Sequence, residues 1–515
     1  MVASQLPEFR KLTDLFNSCA TGFASARPES SAFYAPALPE PVAHNESNQT
    51  MIINNALAAA DLLSAIDQMW EASGQKILSI EASCSENLQT PVFTIEGKYQ
   101  PQGWTEWTQG FQFGSAILQF DATNDEQFLE IGRRNTIERM APHVSHIGVH
   151  DHGFNNVSTF GNLRRLMLEG RTPPDKREVD LYELALKVSG AVQASRWSTT
   201  ADGHGYVYSF NGPHSLFCDT IRSMRSLSLA HQLGHSLMGE NDDSICLLDR
   251  MIQHARSTAK YNVYYGDGRD TYDVRGRVAH ESIFNCNDGR YRCPSTQQGY
   301  SPFSTWTRGL SWIIAGYPEQ LEFLQTVSDE LLERFGGRNE IEDMMLNAAR
   351  ASCDFFIENT PTDGVPYWDT GAPELSRHGD YLNRPSEPFN DHEPVDSSAA
   401  AIAAQGLLRL GRFLRGQDDD AAARYWQAGL TTSQSLLAAP YLSTDDDHQG
   451  LLLHTIYHQS RGWDHVPAGS KIAHSESCMW GDYHLRELAL YIQRVANEAS
   501  PYYSFFGPSD KSAGL

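Results

Sequence analysis

Apolar residues recur every three or four positions along most of the chain, the period of a helix with one buried face. Residues Met51 to Ser73 begin the pattern, with Ile52, Leu57, Leu62, Ile66 and Met69 on one stripe, and nearly every later segment repeats it. Strand-like alternation is sparse: Val92 to Tyr99 reads as one short strand and Tyr206 to Phe210 as another. The spacing therefore predicts a mostly helical body.

The helices come as recurring pairs. Each pair opens with a loop of Gly, aromatic and small polar residues, enters an apolar helix, crosses a short acidic turn and continues into a more polar helix. Starts fall near Trp104, Asp151, His214, Tyr300, Asp396 and Ser475. In the first pair the helix around Phe113 to Phe120 passes through Ala122-Thr123-Asn124-Asp125-Glu126 into Gln127 to Arg139; in the third, Leu216 to Leu237 passes through Gly239 to Asp243 into Ile245 to Lys260. A hairpin that cannot bury its apolar face alone must stack on others. Six or seven of them closed into a ring give an all-α barrel of inner and outer helices, expected over residues 51–505, with an open solenoid as the lesser alternative. Ahead of it, residues 1–50 carry Pro28, Pro36, Pro39 and Pro41 and read as an N-terminal arm. In a ring the apolar inner helices all start at one end, so their leading loops converge on a single mouth, where a site is expected.

Charge narrows the partners. With 64 acidic against 40 basic residues, a net charge of -24 repels nucleic acid and anionic lipid. No apolar run reaches the ~20 residues of a membrane helix. The eight cysteines form no Cys-x-x-Cys pair, and Met1 to Ser25 lacks a signal peptide's apolar stretch, so a reduced, cytoplasmic protein is expected. A homo-oligomer stays open.

The converging loops share one chemistry. They hold Trp104, Trp107 and Phe111; His150-Asp151-His152; Asp219; Gln298 with Trp306, Arg308 and Trp312; Asp363 to Asp369; Asp396-Ser397-Ser398; and Trp480-Gly481-Asp482-Tyr483. Trp rings stack on the apolar faces of sugars, while Asp and Gln hydrogen-bond hydroxyls. Asp151 and Asp219 suit acid/base work, although Asp219 also fits a helix N-cap or a pair with Arg222, and Asp151 a turn. A metal reading of His143, His146, His150 and His152, or of His231 and His235 on one helix, lacks the Glu or Cys partners such sites use, so no metal and no cofactor is expected. The runs Asp418 to Asp420 and Asp445 to Asp447 read as helix openers. Ser236 reads as lying inside a helix, with the wrong spacing for a hydrolase nucleophile.

From about Trp104 to Leu488 the sequence resembles the unsaturated glucuronyl hydrolases of glycoside hydrolase family 88 and, more loosely, the unsaturated rhamnogalacturonyl hydrolases. The resemblance is carried by Gln298-Gly299-Tyr300, Trp306-Thr307-Arg308-Gly309-x-x-Trp312, Asp363 to Trp368 with Asp369, Asp396-Ser397-Ser398-Ala399-Ala400, and Trp480-Gly481-Asp482-Tyr483. It implies an (α/α)6 barrel acting on an acidic oligosaccharide that ends in a Δ4,5-unsaturated uronic acid. By the same resemblance Asp219 and Asp151 are the catalytic pair, and Trp107, Phe111, His150, His280, Gln298, Trp306, Arg308, Trp312, Ser397 and Ser398 bind substrate. Arg222 and Arg225, just after Asp219, depart from the family's apolar and Asn positions. An exo-β-glucuronidase acting on saturated glucuronic acid is the alternative, a non-catalytic sugar-binding scaffold the third class, and an epimerase on a similar barrel a minor one.

Overall fold

A computed structural model of the chain describes residues 50–84, 89–498 and 502–507. The expected arm, residues 1–50, lies outside them except for Thr50.

Thirteen helices carry the architecture: α1 (Leu63–Cys84), α2 (Gln109–Thr123), α3 (Glu126–Arg139), α4 through 152–168, α5 (Lys176–Ser195), α6 (Thr220–Ser223), α7 (Arg225–Gln232), α8 (Leu247–Tyr261), α9 (Thr307–Leu324), α10 (Arg338–Glu358), α11 (Ser397–Leu414), α12 (Asp419–Leu436) and α13 (Met479–Ala496). The middle turn of α4, Val157–Gly161, is π-helical. Helices α2, α4, α6 with α7, α9, α11 and α13 pack in that order, and α13 returns to α2, so the ring is closed. An open solenoid is excluded. The outer layer is α3, α5, α8, α10 and α12, with α1 packing on α2 and α13.

Burial follows from that layering. Every residue of α9 is buried, and every residue of α11 except Arg412. Outer α10 buries one stripe, including Ile341, Met345 and Ala348. Inner helices approach through glycines. A Cβ on Gly110 of α2 would lie 2.3 Å from the Asn155 carbonyl oxygen, one on Gly153 of α4 2.3 Å from that of Ser223, and one on Gly406 of α11 2.0 Å from that of Ile314. No side chain fits there, so backbone meets backbone.

The hairpin turns match the sequence. Asn124 takes a left-handed conformation (φ 60°) to end α2, and the Asp125 carboxylate accepts the Gln127 N–H to open α3. Other expectations are corrected. Ile52 and Leu57 are not on a helix; Met51 instead docks its backbone N–H on the Ile357 carbonyl, and α1 starts at Leu63. The single strand expected over Val92 to Tyr99 is a hairpin, β1 (Thr90–Ile95) with β2 (Lys98–Gln102), because Glu96 and Gly97 both take positive φ in its turn. The helix expected over Leu216 to Leu237 opens instead as strand β3 (Ser215–Phe217), paired with β4 (Glu281–Phe284), and ends at Gln232 before left-handed Gly234. His235 and Ser236 therefore lie beyond the helix end, and His231 and His235 share no helical face. Asp445 to Asp447 form a turn in which Asp445 accepts the Asp447 N–H, with no helix following; Asp418 does open α12.

Candidate active site

The loops that lead into the inner helices surround a cavity of about 390 Å³. Asp151 and Asp219 sit at the N-cap positions of α4 and α6, yet neither carboxylate caps its helix. Elsewhere in the chain the Asp carboxylates of Asp125, Asp175, Asp396 and Asp418 accept first-turn N–H groups. Only the backbone carbonyl of Asp151 serves its turn, accepting from Phe154 and Asn155. Both carboxylates are thus left to line the cavity.

His150 stands between them. Its Nε2 is 3.4 Å from Asp219 Oδ1 and 3.7 Å from Asp151 Oδ1, and all three side chains are nearly buried. Burial raises the Asp151 carboxyl above its ordinary range; the His150 charge pulls it back and the charge of Asp219 adds to the rise. Burial acts on Asp219 too, but the contact and charge of His150, with Arg308 beyond it, outweigh it and leave that carboxyl below its ordinary range. The two carboxylates in turn overcome the burial of His150 and raise its pKa, favouring the imidazolium. The surroundings thus set the two carboxyls apart, Asp151 above and Asp219 below the ordinary range.

Arg308, buried, orders one wall. Its guanidinium donates to Asp396 Oδ2 at 2.7 Å, Gln298 Oε1 at 2.9 Å, the Tyr457 carbonyl at 2.7 Å and the Ile456 carbonyl. It also lies over the rings of Trp306 and Trp480. The aromatic wall continues with Trp107 stacked on Trp480 at 4.9 Å and Trp312 against Phe154 at 4.9 Å. His280 accepts the Gln297 and Gln298 N–H groups at Nδ1, which puts its proton on a buried Nε2 that has no hydrogen-bond partner. Burial holds this imidazole neutral, its pKa lowered to about 4.

Of the residues singled out from sequence, Trp107, His150, Asp151, Asp219, Gln298, Trp306, Arg308 and Trp312 line the cavity. The other four stand behind it. Phe111 packs edge-on to Trp107, and His280 lies beneath the Gln297-Gln298 loop. Ser397 donates to the Leu453 carbonyl, and Ser398 bonds Asp396 and receives the Trp480 indole N–H. Arg222 does not pair with Asp219. It and Arg225 point into the barrel core, where Arg222 meets Glu319 at 2.5 Å and Glu487 at 3.0 Å, so neither charge faces the cavity. The histidine cluster is spoken for: His143 meets Gln109 Oε1, and His152 meets Ser189 and the His146 carbonyl. Among the described residues no three metal-ligating side chains come together.

Sequence reasoning missed Glu106, Phe210, Tyr457, His458, Arg461 and Trp463, which also line the cavity. Four of these come from one stretch, Tyr457 to Asp464, which is aromatic, charged and without helical period. Asp464 pins it by accepting the Tyr457 and His458 N–H groups at 2.5 and 2.8 Å. Glu106 is a third carboxylate, its pKa raised by burial and by the charge of Asp151.

No family model matches the chain. It is 25% identical over 403 residues to an unsaturated glucuronyl hydrolase of Bacillus sp. (strain GL1), covering 77% of this chain and 89% of that protein. It is also 25% identical over 426 residues to an unsaturated chondroitin disaccharide hydrolase of Streptococcus pyogenes serotype M1, covering 81% and 88%. The crystal structure of the unsaturated glucuronyl hydrolase from Bacillus sp. GL1 superposes with a TM-score of 0.63 at 22% identity, over 86% of this chain and 99% of that one. That from Streptococcus agalactiae does so at 0.63 and 20%, over 91% and 100%. The fold is theirs, an all-α barrel of paired helices.

Proposed function

We propose that this chain, a relative of the unsaturated glucuronyl hydrolases, is a glycoside hydrolase that removes a terminal Δ4,5-unsaturated uronic acid from lyase-generated oligosaccharides by hydrating the double bond. The observation that carries the reading is the pair Asp151 and Asp219 flanking His150 in an aromatic-walled cavity, both placed to cap helices and neither doing so.

Asp219 is the acid and base in this proposal and Asp151 its partner. The protonated carboxyl donates to C4 of the enol ether, and the positive charge left at C5 is shared with the ring oxygen. Water adds to C5 and gives its proton to the ionised carboxylate. The hemiketal then opens to a ketone at C5, and the hemiacetal so formed at C1 expels the sugar alcohol. One water is consumed and nothing is oxidised. Arrival of the proton on Asp219 follows from charge. His150 and Arg308 hold that carboxyl down; a uronate carboxylate arriving among them shares their field, and Asp219 rises to become protonated. Trp107, Trp306 and Trp312 offer ring faces to the sugar and Gln298 a fixed amide, while His280 holds the Gln297-Gln298 loop from behind. A cytoplasmic location suits the free cysteines, of which Cys286 and Cys293 are exposed.

The test is purified protein with an unsaturated uronyl disaccharide, followed by loss of the conjugated double bond's ultraviolet absorbance, beside a chromogenic saturated β-glucuronide. Absorbance loss with no aglycone release supports hydration. Aglycone release with the double bond untouched makes the protein an exo-β-glucuronidase instead.

A further inference from the structure

The turn that carries Asp151 is held by the stretch that carries Asp219. Ser223, at the end of α6, donates from Oγ to the His150 carbonyl at 2.7 Å and accepts the Gly153 N–H at 2.9 Å. Gln193 of α5 braces the same corner: its Nε2 donates to the His150 carbonyl at 2.6 Å and to Ser223 Oγ at 2.8 Å, and its Oε1 accepts from the Ser226 hydroxyl. The backbone on both sides of Asp151 is thus referenced to residues 223–226, and through α6 to Asp219.

Arg225 extends this hold along α4. Its Nε donates to the Gly153 carbonyl at 2.8 Å and its Nη2 to Ser158 Oγ at 3.2 Å. One planar group therefore bridges from the turn after Asp151 to the π-helical turn that begins at Val157. A π turn interrupts regular α-helical bonding, and a rigid fork laid across it fixes the direction in which the first turn of α4 points.

The far side of the guanidinium is enclosed. Arg225 is fully buried, and its Nη1 lies 3.6 Å from Glu319 Oε1 and 3.8 Å from Glu487 Oε1, flanked by charge without a hydrogen bond. The Phe505 ring covers it at 5.1 Å, and the Tyr503 hydroxyl donates to Glu487 at 2.8 Å. Arg222 turns its own guanidinium to the same two glutamates at 2.5 and 3.0 Å. For Arg225 the order is reversed: the short bonds go to α4 and the long contacts to the carboxylates, so charge pairing is not its main work.

We infer that Arg225 is a positioning residue for Asp151. By clasping the Gly153 carbonyl and the Ser158 hydroxyl it fixes the Asp151 turn relative to Asp219, and so sets the spacing of the two carboxylates around His150. The inference rests on the proposed function and deepens it, naming a residue that serves the site without touching substrate.

The experiment measures kcat and KM for an unsaturated uronyl disaccharide in the wild type, Arg225→Lys, Ser158→Ala and Arg409→Lys, well below each unfolding temperature. Arg225→Lys keeps the charge beside Glu319 and Glu487, but one ammonium on a flexible stem does not replace the fork. Its kcat should fall by about 10- to 100-fold, the worth of a misplacement approaching 1 Å, with KM kept within about twofold. Ser158→Ala removes one anchor, leaves the charges in place and should lose kcat in the same direction by less. Arg409→Lys disturbs an equally buried pair, Arg409 with Glu322 at 2.6 Å, and should lower the unfolding temperature while keeping kcat. Wild-type kcat in a folded Arg225→Lys would overturn the inference, and so would an equal kcat loss in Arg409→Lys, which would trace the effect to a loosened core. If Arg225→Lys does not fold, Ser158→Ala decides, and wild-type kcat there overturns the inference. If the wild type instead leaves the double bond untouched and cleaves a saturated β-glucuronide, the proposed function fails and the same variants are read with that substrate, since either reaction depends on the carboxylate spacing. A wild type inert toward both ends the proposed function and the positioning role with it.

Discussion

Gly153→Ala tests whether the packing of the inner helices sets the chemistry. Gly153 is two residues from Asp151, at the point where α4 crosses the end of α6 and the start of α7. Its N–H donates to Ser223 Oγ at 2.9 Å and its carbonyl accepts from Arg225 Nε at 2.8 Å, so it is fixed on both sides. An added Cβ would lie 2.3 Å from the Ser223 carbonyl oxygen and 2.5 Å from its Cα, against an ordinary contact of at least 3.4 Å. The neighbouring atoms are backbone in a closed ring, so α4 must shift by about 1 Å. Two costs follow: overpacking of about 1–3 kcal/mol in stability, and a displaced Asp151, where a misplacement of that size is worth about 100-fold in turnover. The assay is thermal unfolding beside the absorbance loss of an unsaturated uronyl disaccharide. A variant with wild-type unfolding temperature and wild-type kcat would refute the reasoning, because it would mean that the ring yields without moving its carboxylate.

Three further outcomes are expected. His150→Gln removes a positive charge that lowers both Asp151 and Asp219, so both carboxyls rise; the acid then stays protonated to higher pH, and the basic limb of the kcat/KM profile moves to the alkaline side. Arg308→Met leaves Asp396 buried without its counter-ion, and chemical denaturation should show a loss of about 3–5 kcal/mol. Glu487 is buried, yet Arg222 and Arg225 outweigh that burial and hold its pKa below the ordinary 4.5; this stability is complete above 4.5 and lost as pH falls through the folded value. The gap in unfolding temperature between wild type and Glu487→Gln should therefore narrow as pH falls below 4.5.

How much of this was legible in the sequence depends on the range of the interaction. Hairpin order, acidic turns and inner against outer helices are local, carried by periods of three and four and by turn residues such as Asn124 and Asp125, and they stand in the structure. Ring closure is not local: the return of α13 to α2 spans most of the chain. The helix expected from Leu216 was lost to pairing with β4, a partner more than sixty residues away. At the site, Asp151 and Asp219 are visible as carboxylates at loop-to-helix junctions, but that their side chains leave those helices uncapped and that Arg222 and Arg225 turn inward depends on contacts distant in sequence. Tyr457 to Asp464 carried a signal, aromatic and charged residues with no helical period ahead of an inner helix, that period-based reading passes over.

The most direct measurement is turnover of an unsaturated uronyl disaccharide by Asp219→Asn, with unfolding temperature recorded on the same sample. The account predicts a folded variant whose absorbance loss is reduced by about 100-fold or more, the range general acid–base catalysis supplies. A folded Asp219→Asn that turns over substrate at near the wild-type rate would contradict it.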